Sequence, residues 1–101
     1  MYVIELFLPL YDNQGRRFRD SLYEEVRRDL IEKFGGITAF TRAPAQGSEQ
    51  AHGGERRDDL IVFEVMTQEL DALWWKSYRQ SLETAFDQDQ LIARAARVTL
   101  L

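Results

Sequence analysis

The sequence predicts an α+β fold with its elements in the order β-α-β-β-α-β, and three observations carry that expectation. Short runs rich in β-branched and aromatic residues alternate apolar and polar positions or are apolar almost throughout, as strands do. Two longer runs repeat their apolar residues every four positions, the spacing of a helix face. Glycine, proline and polar clusters punctuate the chain between them. Two right-handed β-α-β crossovers joined by a hairpin give a four-stranded antiparallel sheet with both helices on one face. The first and third strands then sit in its centre.

Residues 2–10 (YVIELFLPL) read as the first strand. Ile4, Leu6, Leu8 and Leu10 share one face, while Val3, Glu5 and Phe7 share the other. Pro9 suits the strand exit, and Asp12-Asn13-Gln14-Gly15 is turn chemistry. A helix is expected from Asp20 or Ser21, where Ser21 and Glu24 have capping-box spacing. Leu22, Val26, Leu30 and Phe34 form its stripe, flanked by Tyr23 and Ile31, and Gly35-Gly36 stops it.

A second strand is expected over 37–43 (ITAFTRA). Residues 44–57, with Pro44 and three glycines, read as a long mobile hairpin loop. Residues 58–67 (DDLIVFEVMT) are nearly continuous in apolar residues, the mark of a central strand covered on both faces. The second helix is expected to be capped near Thr67, with Leu70, Trp74, Tyr78, Leu82 and Phe86 as its stripe. That phase puts Trp74 in the core and Trp75 at its edge, where a tryptophan can also anchor an interface. Residues 91–101 (LIARAARVTLL) complete the set as a last strand.

The whole chain of 101 residues fits one domain. Net charge is −4, and the arginines are interleaved with acids, so no basic face for nucleic acid is expected. An RNA-recognition module shares this element order, and Phe7 and Phe63 invite the comparison. Arg57-Asp58-Asp59-Leu60-Ile61-Val62-Phe63-Glu64 nevertheless fails the basic and glycine positions of the third-strand signature. The chain has no cysteine, which excludes disulfides, thiolate metal sites and a thiol nucleophile. No signal peptide and no apolar run of membrane-spanning length is apparent, so a soluble cytoplasmic protein is expected, without membrane partners.

The open face of the sheet holds the candidate site. Val3, Glu5 and Phe7 are expected there, with Leu60, Val62 and Met66 around Glu64. An apolar patch of that kind on a monomer calls for cover. Burial in a homodimer and a pocket for a small apolar or anionic ligand are the two readings, with Val3, Phe7, Arg42 and Trp75 as interface or pocket residues. Glu5 and Glu64 are the only catalytic candidates, since two adjacent carboxylates can divide the roles of acid and base. Alternatively, each pairs with an arginine such as Arg42, Arg94 or Arg97, or sits at the rim. His52 is the single histidine, has no metal partner at a recognisable spacing, and reads as a solvated loop residue, so neither a metal nor a cofactor is expected. Gly35-Gly36 and Gly53-Gly54 match no phosphate-binding loop.

Phe34-Gly35-Gly36-Ile37-Thr38 at the end of the first helix, Gly47 in the loop, and Tyr78 with Phe86-Asp87-Gln88 before the last strand carry a resemblance. They resemble an uncharacterised bacterial family of small ferredoxin-like domains, although Ser48-Glu49 stand where that family carries a tryptophan after the loop glycine. A looser likeness is to the dimeric α/β-barrel proteins, in which two such sheets meet face to face. The resemblance implies a fold and no assigned activity. The functional expectation is therefore a homodimeric binding or structural module. A small cofactor-free enzyme for proton transfer or isomerisation and a subunit for a different protein are the alternatives.

Overall fold

The computed structural model describes residues 1–44 and 59–101, without the side chains of residues 39 and 41–44. The fold is α+β. Its elements are β1 (Tyr2–Pro9), α1 (Asp20–Phe34), β2 (Ala39–Pro44), β3 (Asp59–Thr67), α2 (Ala72–Ala85) and β4 (Ile92–Arg97). All strand pairs are antiparallel, in the spatial order β2-β3-β1-β4. The hairpin loop expected over 44–57 lies outside the described residues beyond Pro44, as does His52.

Alternation along β1 and β3 divides the molecule into layers. Ile4, Leu6 and Leu8 of β1 and Ile61, Phe63 and Val65 of β3 are buried in one apolar core with Leu22, Tyr23, Val26 and Leu30 of α1. Trp75 and Leu82 of α2 join that core, with Phe86 just beyond its last turn. The odd-numbered residues of β1 and even-numbered residues of β3 face away from it and are less buried.

Asp12 shapes the turn after β1: its carboxylate accepts from the Gln14 and Arg16 backbone N–H groups. Gly15 supplies the positive φ the turn requires. Helix α1 begins at Asp20, but the Ser21–Glu24 capping box does not cap it. Arg19 is the N-cap and makes no side-chain cap bond, and the Ser21 hydroxyl instead accepts from Arg19 Nε. At the other end Gly35 adopts φ 82°, and its N–H donates to the Ile31 carbonyl, the expected glycine stop.

Helix α2 starts later than Thr67. Thr67 is the last residue of β3 and its hydroxyl donates to the Glu69 carbonyl. The N-cap is Asp71, whose carboxylate accepts from the Trp74 N–H. The expected stripe is corrected in the same way. Each helical residue turns about 100°, so a four-residue spacing drifts by about 40° per step and cannot hold one face from 70 to 86. Leu82 and Phe86 follow Trp75 by seven and eleven residues, which brings each back to within about 20° of it, one on either side. They make the buried line; Trp74 and Tyr78 flank it half-buried, and Leu70 is 40% exposed outside the helix. Trp75, not Trp74, is therefore the core tryptophan, only 6% exposed.

Strand β4 ends at Arg97, short of the expected run to 101. One more bond follows, from Val98 N–H to the Met1 carbonyl.

Candidate functional site

The open face is built from four rows across the sheet. Register pairs Glu5 directly with Glu64 on β3 and with Arg94 on β4, so the three charges lie side by side in the order Glu64, Glu5, Arg94. On one side of this row stand Val62, Phe7 and Ile92; on the other stand Met66, Val3 and Ala96. Leu60, opposite Pro9, extends the apolar set. Ile92 and Met66 are the most open of the large apolar side chains here, 57% and 36% exposed.

The row's electrostatics are asymmetric. Arg94 Nε donates to Glu5 Oε1 at 2.7 Å, and its guanidinium lies 4.9 Å from the Phe7 ring centroid. Glu5 is thus an ion-paired carboxylate on an apolar strand. Among the described residues nothing bonds the Glu64 carboxylate, which has another carboxylate as its nearest charged neighbour across the strand pair. The two candidate acids do come together, as expected of central strands, and one of them is held by an arginine named from sequence.

The remaining candidates divide. Val3 and Phe7 are on this face. Arg42 pairs in register with Ile61, and its side chain lies outside the described residues. Trp75 is not on this face at all: it is in the core on the helix side, stacked on Phe34 with ring centroids 5.5 Å apart. Phe63 also points to the helices and is buried, so the pair of aromatics that invited an RNA comparison occupies opposite faces of the sheet.

Sequence reading missed a second concave feature. A groove of about 350 Å³ runs between α2 and β4, lined by Ile4, Trp75, Ala93 and Ala95 with Lys76, Arg79 and Arg94. Recognising it required the true phase of α2, which brings positions 72, 75, 76 and 79 to the strand.

Two tyrosines carry shifted hydroxyls. Burial pushes Tyr23 up to about 12; it donates to the Pro9 carbonyl and packs against Phe86. Burial, then the hydrogen bond to Asp29, raises Tyr78 further still. Neither is near the open face's charged row. Among the described residues no group of three or more His, Cys, Asp or Glu side chains is placed to hold a metal ion, and no helix is long and apolar enough to cross a membrane.

Compared with protein-family models, curated proteins and solved structures, the chain matches none of them.

Proposed function

We propose that the chain is a ferredoxin-like binding or structural module whose open sheet face joins it to a second copy of itself. The observation that carries this reading is the pattern of that face: one row with both signs of charge between two apolar rows, none of them buried by the described residues. Take a two-fold axis in the plane of the interface, running along β1. Such an axis sends β3 onto β4 of the other copy, so Glu64 meets Arg94 of the partner subunit. Val62 then meets Ile92 of the partner subunit, Met66 meets Ala96 of the partner subunit, and Phe7 meets its own copy. Apolar rows bury against apolar rows, and the carboxylate with no partner among the described residues gains a cation, which is the self-complementarity an isologous interface needs. Strands parallel to the axis lie within the aligned class of sheet-on-sheet packing.

The cofactor-free enzyme reading would use Glu5 or Glu64 as a base. The Arg94 bond favours a structural role for Glu5. Covering the face with a different protein is the remaining alternative, and the experiment separates it.

Light scattering on the purified chain across the micromolar range tests the proposal, with Val62→Glu as the variant. A dimer is expected for the wild type. A charge placed in the apolar row, with no opposite charge facing it, should weaken association by about a hundredfold or more. A wild type that stays monomeric throughout that range overturns the proposal in favour of a heterologous partner. A dimer that Val62→Glu leaves intact assigns the contact to another surface.

A further inference from the structure

We infer that the groove between α2 and β4 is a binding site for a small amphipathic carboxylate, its apolar body against the sheet and its charge at Lys76. The inference stands apart from the dimer reading, because Ile4, Trp75 and Ala93 pack on the helix side of the sheet and Ala95 pairs in register with Ile4; Arg94 alone among the lining residues named here also belongs to the open face.

Room for the apolar body comes from β4. In register, Ala93 lies beside Leu6 and Ala95 beside Ile4, so small side chains stand next to large ones beneath α2. The resulting space of about 350 Å³ falls within the range of small-molecule sites. Its floor is Ile4, Ala93 and Ala95, and Trp75 contributes an indole to the wall.

The sign of the ligand follows from the charges. The chain carries −4 overall, yet Lys76, Arg79 and Arg94 line the groove and no acidic side chain does. Two of these cations are already matched: Arg79 Nη1 is 2.5 Å from Glu83 Oε2, and Arg94 is bonded to Glu5. Lys76 has no partner among the described residues, so one positive charge is available at the mouth. Trp75 adds an independent indication. Its Nε1 is the one buried side-chain nitrogen or oxygen among the described residues without a hydrogen-bond partner. An indole N–H is a donor only, so what it lacks is an acceptor, and a carboxylate oxygen is one. An apolar cleft with one free cation at its edge selects an anion with a hydrophobic body over a neutral or cationic one, and Trp75, one of its lining residues, holds the unsatisfied donor.

The test uses 4-phenylbutyrate as the probe and 4-phenylbutanol as its neutral counterpart, followed through the indole resonances of ¹⁵N-labelled full-length chain. Trp74→Phe assigns which resonance is Trp75. The acid should shift the Trp75 resonance saturably, and Lys76→Gln, an exposed substitution that leaves the core alone, should weaken it at least about tenfold. Ala95→Leu, which fills the groove, should abolish the shift while the rest of the spectrum persists; should that variant not fold, Lys76→Gln decides alone. Equal affinity for acid and alcohol, an unchanged affinity in Lys76→Gln, or no saturation in the millimolar range would each overturn the inference. Because Val62→Glu leaves this groove intact, the titration on that variant reads the site whether or not the chain dimerises.

Discussion

Replacing Glu64 by glutamine should make the isolated chain more stable, although it removes a charged group from a row that also contains an arginine. Glu64 and Glu5 are direct partners across β3 and β1. Side chains so placed have Cβ atoms about 5 Å apart. With an effective dielectric between about 20 and that of water, their repulsion is about 1–3 kcal/mol. Arg94 lies one strand further, at about 9–10 Å, and its attraction for Glu64 recovers about 0.4–2 kcal/mol on the same scale. The difference favours removal. Solvent reaches this row, since the Arg94 side chain is 66% exposed and that of Glu5 31%, so screening reduces the gain to about 0.5–1 kcal/mol. That corresponds to a melting-temperature rise of about 2–8 °C for a chain of this size. Glu5→Gln, by contrast, removes the repulsion and the Arg94 pair together and should leave stability within about 0.5 kcal/mol of the wild type. Urea unfolding at a concentration low enough to keep the chain monomeric measures both variants, at about 0.05 M and about 1 M NaCl. A stability loss in Glu64→Gln, or a gain that persists undiminished in high salt, refutes the reasoning. In the associated form the sign reverses, because there Glu64 is proposed to meet Arg94 of the partner subunit.

Two further predictions concern the core. Leu6 is fully buried at the centre of β1, so Leu6→Ala should lower unfolding free energy by about 3–5 kcal/mol, read as a reduced urea midpoint at unchanged slope. The Tyr23 hydroxyl has a folded-state pKa near 12 against 10.0 for the free side chain, so the native state holds its proton more tightly than the unfolded chain. That contribution is fully present below pH 10 and is lost as pH rises toward 12. Tyr23→Phe should therefore be less stable at neutral pH by about 1 kcal/mol, for the lost bond to the Pro9 carbonyl, yet lose less stability than wild type on titration between pH 10 and 12. Parallel alkaline curves for the two proteins would place the titrating group elsewhere.

Those perturbations act on features of unequal legibility. The faces of β1 and β3 could be read from sequence because a two-residue period allows only two assignments, and the buried one is the more apolar. The end of α1 could be read because Gly35 takes a backbone angle that other residues avoid. Register was beyond reach. That Glu5 faces Glu64, and that Arg94 flanks Glu5, depends on how three strands distant in sequence slide against one another, and a one-residue slip moves every side chain to the other face. The helix caps failed for a local reason: Ser21 and Thr67 have the right chemistry, but each hydroxyl is committed to another bond, with Arg19 and with the Glu69 carbonyl. Starting α2 at Thr67 rather than Asp71 then exchanged Trp74 for Trp75, and with that exchange the groove beside Lys76 disappeared from view.

The central position of β1 also has a consequence for the order in which the chain can become native. Strand β1 has both of its neighbours far downstream: the Glu5–Arg94 bond spans 89 residues. Its two edges therefore stay unsatisfied until nearly the whole chain is available, and the loop closures that pair them come before the contacts that reward them. Folding should be slow for a chain of this length. During that interval the apolar strand Tyr2–Pro9 is the segment most exposed to mispairing with other chains.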